Sequence, residues 1–282
     1  MSNYKIKQNS FFNSRKVFII TESVLFCLFI YMDLVTSIKG KEGTPFVNFL
    51  NGTGFLTSIY LKYYSIILCL IYSLYSLFRF RDKCRLVLSI AYVFTVISDY
   101  FLLLEKGKPM PGLISFVLVH CVYLYVICGG VLKKTGIIII VRAAISFCLM
   151  LAVKISGLIH FDNDSNMNGL IFLVFLYGIS FVSNIVRLFL LHIKNSAEQK
   201  NLTPCLFKNT KLFFIGLILF LLCDLNVLIY NLGDFLNIGS GFYRTLQNIS
   251  EVLMWAFYLP SQVLIVLSGV KITSKTPSAF PR

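Results

Sequence analysis

The sequence predicts an all-α, polytopic transmembrane bundle, and three observations carry that prediction. Charged residues make up only 13% of the 282 residues and hydrophobic ones 57%, where soluble domains carry about 25% charged residues. Apolar runs of about 20 residues, the length a helix needs to cross a bilayer, recur along the whole chain. No run shows the short alternation of a membrane β-barrel.

Eight spans follow, at 17–38, 56–78, 86–104, 112–132, 136–159, 169–193, 212–232 and 248–269. The first contains Glu22 and Asp33, lacks a small-residue cleavage site and is too long for a signal-peptide core, so it reads as a retained helix. The third and fourth are joined by "EKGKPMPG", a Gly/Pro-rich turn that makes them an antiparallel hairpin. Residues 194–211 form the longest connection on the N-terminal side, and Pro204 argues against a helix there. The domain reading is a segment 1–16, an eight-helix domain 17–269 and a tail 270–282. "VFTVISDYFLLL" and "LILFLLCDLNVLI" in the third and seventh spans each place a small residue before an aspartate, suggesting a weak four-plus-four internal repeat.

The net charge of +14 could point to nucleic acid, but its distribution reads as topology. Seventeen of the 26 Lys and Arg residues fall on the side of the two termini, including Arg15, Lys16, Arg79, Arg81, Lys133, Lys134 and Lys271; five fall on the opposite side. The positive-inside rule then puts both termini in the cytoplasm. Six of the eight cysteines lie in spans, where cysteine behaves as a small apolar residue, and none shows disulfide or metal-ligand spacing. Sequons at Asn51, Asn163 and Asn248 fall on the outer side and one at Asn201 on the inner.

Intramembrane polar groups are the next signal. "TVISDYFLLL" (95–104) sets Asp99 in an apolar run, and a charge at the centre of a membrane helix costs about 2.5–3.5 kcal/mol on insertion scales. At 1.5 Å per residue, Asp99 lies ~8 Å and Asp224 ~12 Å from the outer ends of their spans. Lys62, His120, Tyr177, Tyr258 and Gln262 reach the outer half or the middle of the bilayer by the same reckoning, ~9 to ~21 Å in. Such residues nearly always face the bundle interior and pair, so Asp99 and Asp224 are expected to line a buried polar pocket. Glu22, Arg142 and Arg187 lie close enough to helix ends to snorkel, as do Asp33 and Lys154.

Two carboxyls in one poorly solvated site do not both ionise readily, which leaves one acid and one base for adding water to an acid-labile ether. Competing constellations are missing from the sequence: there is no Gly-x-Ser-x-Gly elbow, no His-Glu-x-x-His helix and no Gly-rich phosphate loop.

"SDYFLLL…PGLISFVLVHCVY" resembles the signature of the lysoplasmalogenase (YhhN-like) family of eight-span membrane proteins, through Ser98, Asp99, Leu102, Leu103, Gly112, Leu113, Phe116, His120 and Tyr123. "LKYYSIILCLI" is similar to the family's Lys-Pro entry through Lys62, "GLILFLLCDLNVLI" to its small-Asp stretch through Gly216, Phe220, Cys223 and Asp224, and "FYLPSQVLIV" to its closing stretch through Tyr258 and Gln262. Ser98, Cys223 and Tyr63 stand where the family has Gly, Ser and Pro.

The resemblance implies hydrolysis of the vinyl-ether bond of lysoplasmalogens to a fatty aldehyde and glycerophosphocholine or glycerophosphoethanolamine. It implies Asp99 and Asp224 as the catalytic pair, with Lys62 holding a carboxylate ionised or contacting phosphate. His120, Tyr123, Tyr177, Tyr258 and Gln262 would orient water and substrate. No metal or organic cofactor is called for. The implied partners are the lysophospholipid and membrane lipid rather than nucleic acid, in the endoplasmic reticulum or another internal membrane. Gly129-Gly130, in the fourth span, would suit close packing within the bundle or between copies in a homodimer. The rival readings are a proton-coupled transporter, against which the unbroken aspartate helices speak, and a non-catalytic family member.

Overall fold

The computed structural model describes residues 2–39, 44–105, 108–156, 165–198, 209–231 and 240–269. The sequons at Asn163 and Asn201, Pro204 and the tail 270–282 lie outside them. The described chain is all-helical: α1 (Ser2–Lys39), α2 (Pro45–Gly52), α3 (Ser58–Phe80), α4 (Lys83–Asp99), α5 (Pro109–Ile127), α6 (Leu132–Ser156), α7 (Ser165–Glu198), α8 (Thr210–Asn231) and α9 (Ser240–Ser268). All but α2 are long and apolar enough to cross a membrane, which gives the eight expected spans. The side on which α1 begins and α9 ends is called the near side below, the other the far side.

Helix ends follow local chemistry that hydropathy does not report. α2 was not anticipated: it is too short to span, and Thr44 starts it by accepting from the Val47 N–H (3.3 Å), with Pro45 in its first turn. Asp82 caps α4 the same way, accepting from the Arg85 N–H at 3.0 Å. α9 begins at Ser240, eight residues before the predicted span, because a polar helical turn projects beyond the apolar run. That turn is useful: Tyr243 donates to the Tyr230 carbonyl (2.7 Å) and Gln247 to the same oxygen (3.0 Å), satisfying the last turn of α8. Gly129-Gly130 lies just past α5 rather than within it. Both residues have positive φ (69° and 80°), and the Gly130 N–H reaches back to the Tyr125 carbonyl at 2.9 Å. The pair terminates the helix in a Schellman-like turn, so it supplies no helix-packing face.

The spans pack in a closed circuit, α1–α3–α4–α5–α7–α8–α9 and back to α1, with α3 also touching α9 and α6 outside against α5 and α7. The circuit turns its polar faces inward. Along α3, Lys62, Ser65, Cys69, Ser73 and Ser76 are buried at helical spacing, while Ile59, Ile71, Tyr75 and Phe78 are exposed. α5 is the span most enclosed by the bundle and α6 the least.

Two glycines allow the closest approaches. A Cβ on Gly112 would sit 2.7 Å from Leu102 Cγ and 3.3 Å from the Ser98 carbonyl; one on Gly216 would sit 2.7 Å from Ile265 Cγ1 and 3.1 Å from the Ser261 carbonyl. Gly136 and Gly178 have nothing within 4 Å of that position. Gly112→Ala and Gly216→Ala should therefore each destabilise the bundle by about 1–3 kcal/mol in chemical unfolding in detergent. Gly136→Ala and Gly178→Ala should be neutral or stabilising by up to about 1 kcal/mol.

Candidate active site

Asp99 is the last residue of α4 before the helix widens. Residues Tyr100–Leu104 form a π-helical turn, closed by the Glu105 N–H on the Tyr100 carbonyl at 3.1 Å. Such turns cluster at functional sites, and this one carries neither Gly nor Pro, so nothing in the sequence announces it. The aspartate helix has no Gly or Pro break at the site, as expected, but its hydrogen-bond register changes there. Asp99 is 4% exposed, and its Oδ2 accepts from the Tyr258 hydroxyl on α9 at 2.7 Å. Ser98, its neighbour, donates to the Gly112 carbonyl at 2.7 Å and ties α4 to α5.

Asp224, on α8, has a matching arrangement. Its Oδ2 accepts from the Tyr177 hydroxyl on α7 at 2.5 Å. Aromatic rings connect the two Asp–Tyr pairs: Phe116 lies 5.9 Å from the Tyr177 ring and 5.7 Å from Phe220. Phe220, one turn before Asp224, links them: its ring lies 5.4 Å from that of Tyr258, 5.0 Å from Phe181 and 5.9 Å from His120. The walls between the two pairs are largely aromatic, a setting of low polarity that strengthens the interaction of any developing charge with the groups that face it.

Lys62 meets neither of these aspartates. Its Nζ lies 2.8 Å from Asp33 Oδ2 in an ion pair whose side chains are 6% and 11% exposed. Asp33 also accepts from Ser58 at 2.5 Å. The snorkelling expected of Asp33 is replaced by pairing inside the bundle, because α1 packs directly on α3. Lys62 sits 5.2 Å from the Trp255 ring centroid, and Trp255 packs edge-on against Tyr258 at 5.1 Å. The ion pair therefore adjoins the Asp99 pair through Trp255.

His120, Tyr123 and Gln262 are buried in the same interior without a direct bond to Asp99 or Asp224. The His120 ring stacks on Phe181 (4.5 Å) and meets Tyr177 edge-on (5.1 Å), and neither of its nitrogens has a hydrogen-bond partner among the described residues. The same holds for the Tyr123 hydroxyl and both amide atoms of Gln262, although the Gln262 carbonyl accepts from Tyr92 at 2.5 Å. Buried polar atoms in this state are donors and acceptors available to a ligand. Among the described residues no group of three His, Cys, Asp or Glu is placed to hold a metal ion.

Two further residues do not snorkel as expected. Glu22 is buried, with Oε1 accepting from the Cys69 thiol at 3.5 Å. Arg142 is buried as well and donates to Asn184 Oδ1 at 2.9 Å. Distance to a helix end does not decide burial: α3 closes over Glu22 through Cys69, and α7 over Arg142 through Asn184. Trp255, the only tryptophan in the chain, gave a signal that went unused.

The YhhN family model matches residues 57–269, from the start of α3 to the end of α9. No curated protein and no solved structure matches the chain. α1 and α2 precede the matched region, yet α1 supplies Asp33, the counter-ion of a lysine inside it.

Removing one partner of a buried ion pair strands the other. Asp33→Asn should cost about 3–5 kcal/mol in detergent unfolding, and the double variant Asp33→Asn/Lys62→Met should recover most of it. Additive losses in that double-mutant cycle would count against the pairing.

Proposed function

This chain belongs to the YhhN family, which includes lysoplasmalogenases, and from that premise we propose that it is an intramembrane hydrolase of the vinyl-ether bond of lysoplasmalogens. The observation that carries the reading is the pair of carboxyls, Asp99 and Asp224, each held by one tyrosine hydroxyl and connected through aromatic rings.

One carboxyl, as the acid, donates its proton to the alkenyl carbon distal to the ether oxygen. The double-bond electrons form the new C–H bond, and positive charge develops as an oxocarbenium ion. The other, as the carboxylate, stabilises that charge and takes a proton from water as the water oxygen bonds to the oxocarbenium carbon, the one attached to the ether oxygen. The hemiacetal then collapses: its hydroxyl gives its proton to the carboxylate left by the first step as the C–O bond to glycerol breaks, the carboxyl that took the water proton protonates the glycerol oxygen, and a fatty aldehyde and a glycerophospho head group leave. Tyr177 and Tyr258 each occupy one oxygen of a carboxyl and so aim the other at the substrate or water. His120, Tyr123 and Gln262 supply hydrogen bonds to water and to the glycerol oxygens. Lys62, neutralised by Asp33, keeps Trp255 and through it Tyr258 in register. The alkenyl chain enters laterally from the bilayer of an internal membrane, with both termini in the cytoplasm.

The test is aldehyde release from alkenyl-lysophosphocholine and alkenyl-lysophosphoethanolamine by purified protein in detergent. Asp99→Asn and Asp224→Asn should each abolish turnover while the protein stays folded. Tyr177→Phe and Tyr258→Phe should lower kcat by about 10- to 100-fold, the loss of one oriented hydrogen bond in the transition state, with KM little changed. Well-folded wild type that releases no aldehyde from either substrate, but carries proton-driven flux in sealed proteoliposomes, would make the protein a transporter instead.

A further inference from the structure

Arg142 is a buried guanidinium without an acid. It is 3% exposed and sits ten residues into α6, about 15 Å from the near-side end of the helix. Its Nη2 donates to Asn184 Oδ1, but Nε and Nη1 have no hydrogen-bond partner among the described residues, and no described carboxylate pairs with it. A charge in this position is costly unless something opposite completes it.

Asn184 fixes where that something would sit. Its Oδ1 holds the guanidinium, while its Nδ2 donates to the His120 carbonyl on α5 at 2.9 Å. The amide therefore brackets Arg142 against the segment that carries His120, whose ring nitrogens are also unpartnered among the described residues. Along α7, Asn184 lies two turns, about 10 Å, to the near side of Tyr177, the residue that holds Asp224. Lys62, the other buried cation near the site, is already neutralised by Asp33. Guanidinium donors suit phosphate oxygens in number and geometry.

We propose that Arg142, braced by Asn184, binds the phosphate of the lysophospholipid and so sets the substrate with its head group toward the near side. The inference rests on the hydrolase reading for the identity of the ligand.

Its test uses binding rather than turnover. The ligands are a saturated 1-O-alkyl-lysophosphocholine, which has no vinyl ether to cleave, the matching 1-O-alkylglycerol, and inorganic phosphate alone. Wild type should prefer the phosphate-bearing lipid, and Arg142→Gln should weaken that ligand by about 10- to 100-fold while leaving alkylglycerol affinity unchanged. Arg142→Lys is the second variant: it keeps the buried positive charge but lacks the forked guanidinium donors, so it should keep the protein folded yet produce a smaller loss confined to the phosphate-bearing lipid. If Arg142 were only structural, that variant would leave phospholipid affinity intact, which would overturn the proposal. Equal losses for both lipids in the two variants would overturn it too. So would an Arg142-dependent response confined to inorganic phosphate, which would make this a site for the free anion. Wild type that binds phospholipid through Arg142 but releases no aldehyde from vinyl ethers keeps this site and loses the hydrolase reading. Turnover with affinity indifferent to Arg142 does the reverse.

Discussion

A carboxyl in hydrocarbon must find its partner inside the protein, since no water in the bilayer core will supply one. Four carboxyls of this chain meet that condition by crossing from one helix to another. Asp33 on α1 takes Lys62 and Ser58 from α3, and Glu22 on α1 takes the Cys69 thiol. Asp99 on α4 takes Tyr258 from α9, and Asp224 on α8 takes Tyr177 from α7. The helix circuit is what these pairings require: α1 must lie on α3, and α7 beside α8, for the acids to be satisfied. Apolar packing alone gives little reason for one helix order over another in lipid, whereas these bonds single out particular neighbours.

The partners differ in kind, and the difference sorts structure from chemistry. Asp33 faces a full cation and an additional hydroxyl, a combination that neutralises it and fixes two helices. Asp99 and Asp224 face one neutral hydroxyl each, which orients a carboxyl without cancelling its capacity to exchange a proton. The aromatic rings around them, with Phe220 and Trp255 both against Tyr258, lower the local polarity and make each hydrogen bond count for more. The π-helical turn after Asp99 belongs to the same design, since it ends the regular α4 ladder at the carboxyl itself.

The matched family region begins at α3, but the interior it encloses is completed by α1. Lys62 has its acid on α1, and Phe29 of α1 packs on Trp255 with ring centroids 5.8 Å apart. The first helix is therefore part of the bundle that supports Tyr258. It lends no group to the Asp99 or Asp224 carboxyls themselves.

The sequence by itself determined the eight spans and which of them carry Asp99, Asp224, Lys62, His120, Tyr177, Tyr258 and Gln262. Hydropathy and rise per residue are local properties, readable one segment at a time. It also marked Gly112 and Gly216 through the family pattern, without the reason, which is the approach of Leu102 and Ile265. Only the tertiary structure decided who pairs with whom. Lys62 finds Asp33 across a helix boundary, Tyr258 finds Asp99 from the other end of the chain, and Arg142 finds Asn184 where snorkelling had been expected. Snorkelling depends on distance to the helix end alone, but burial depends on which helices close around a side chain. The π-turn and the Schellman-like ending at Gly129-Gly130 were illegible for a related reason: a hydropathy window measures transfer from water to lipid and is blind to how backbone bonds are shared within the helix.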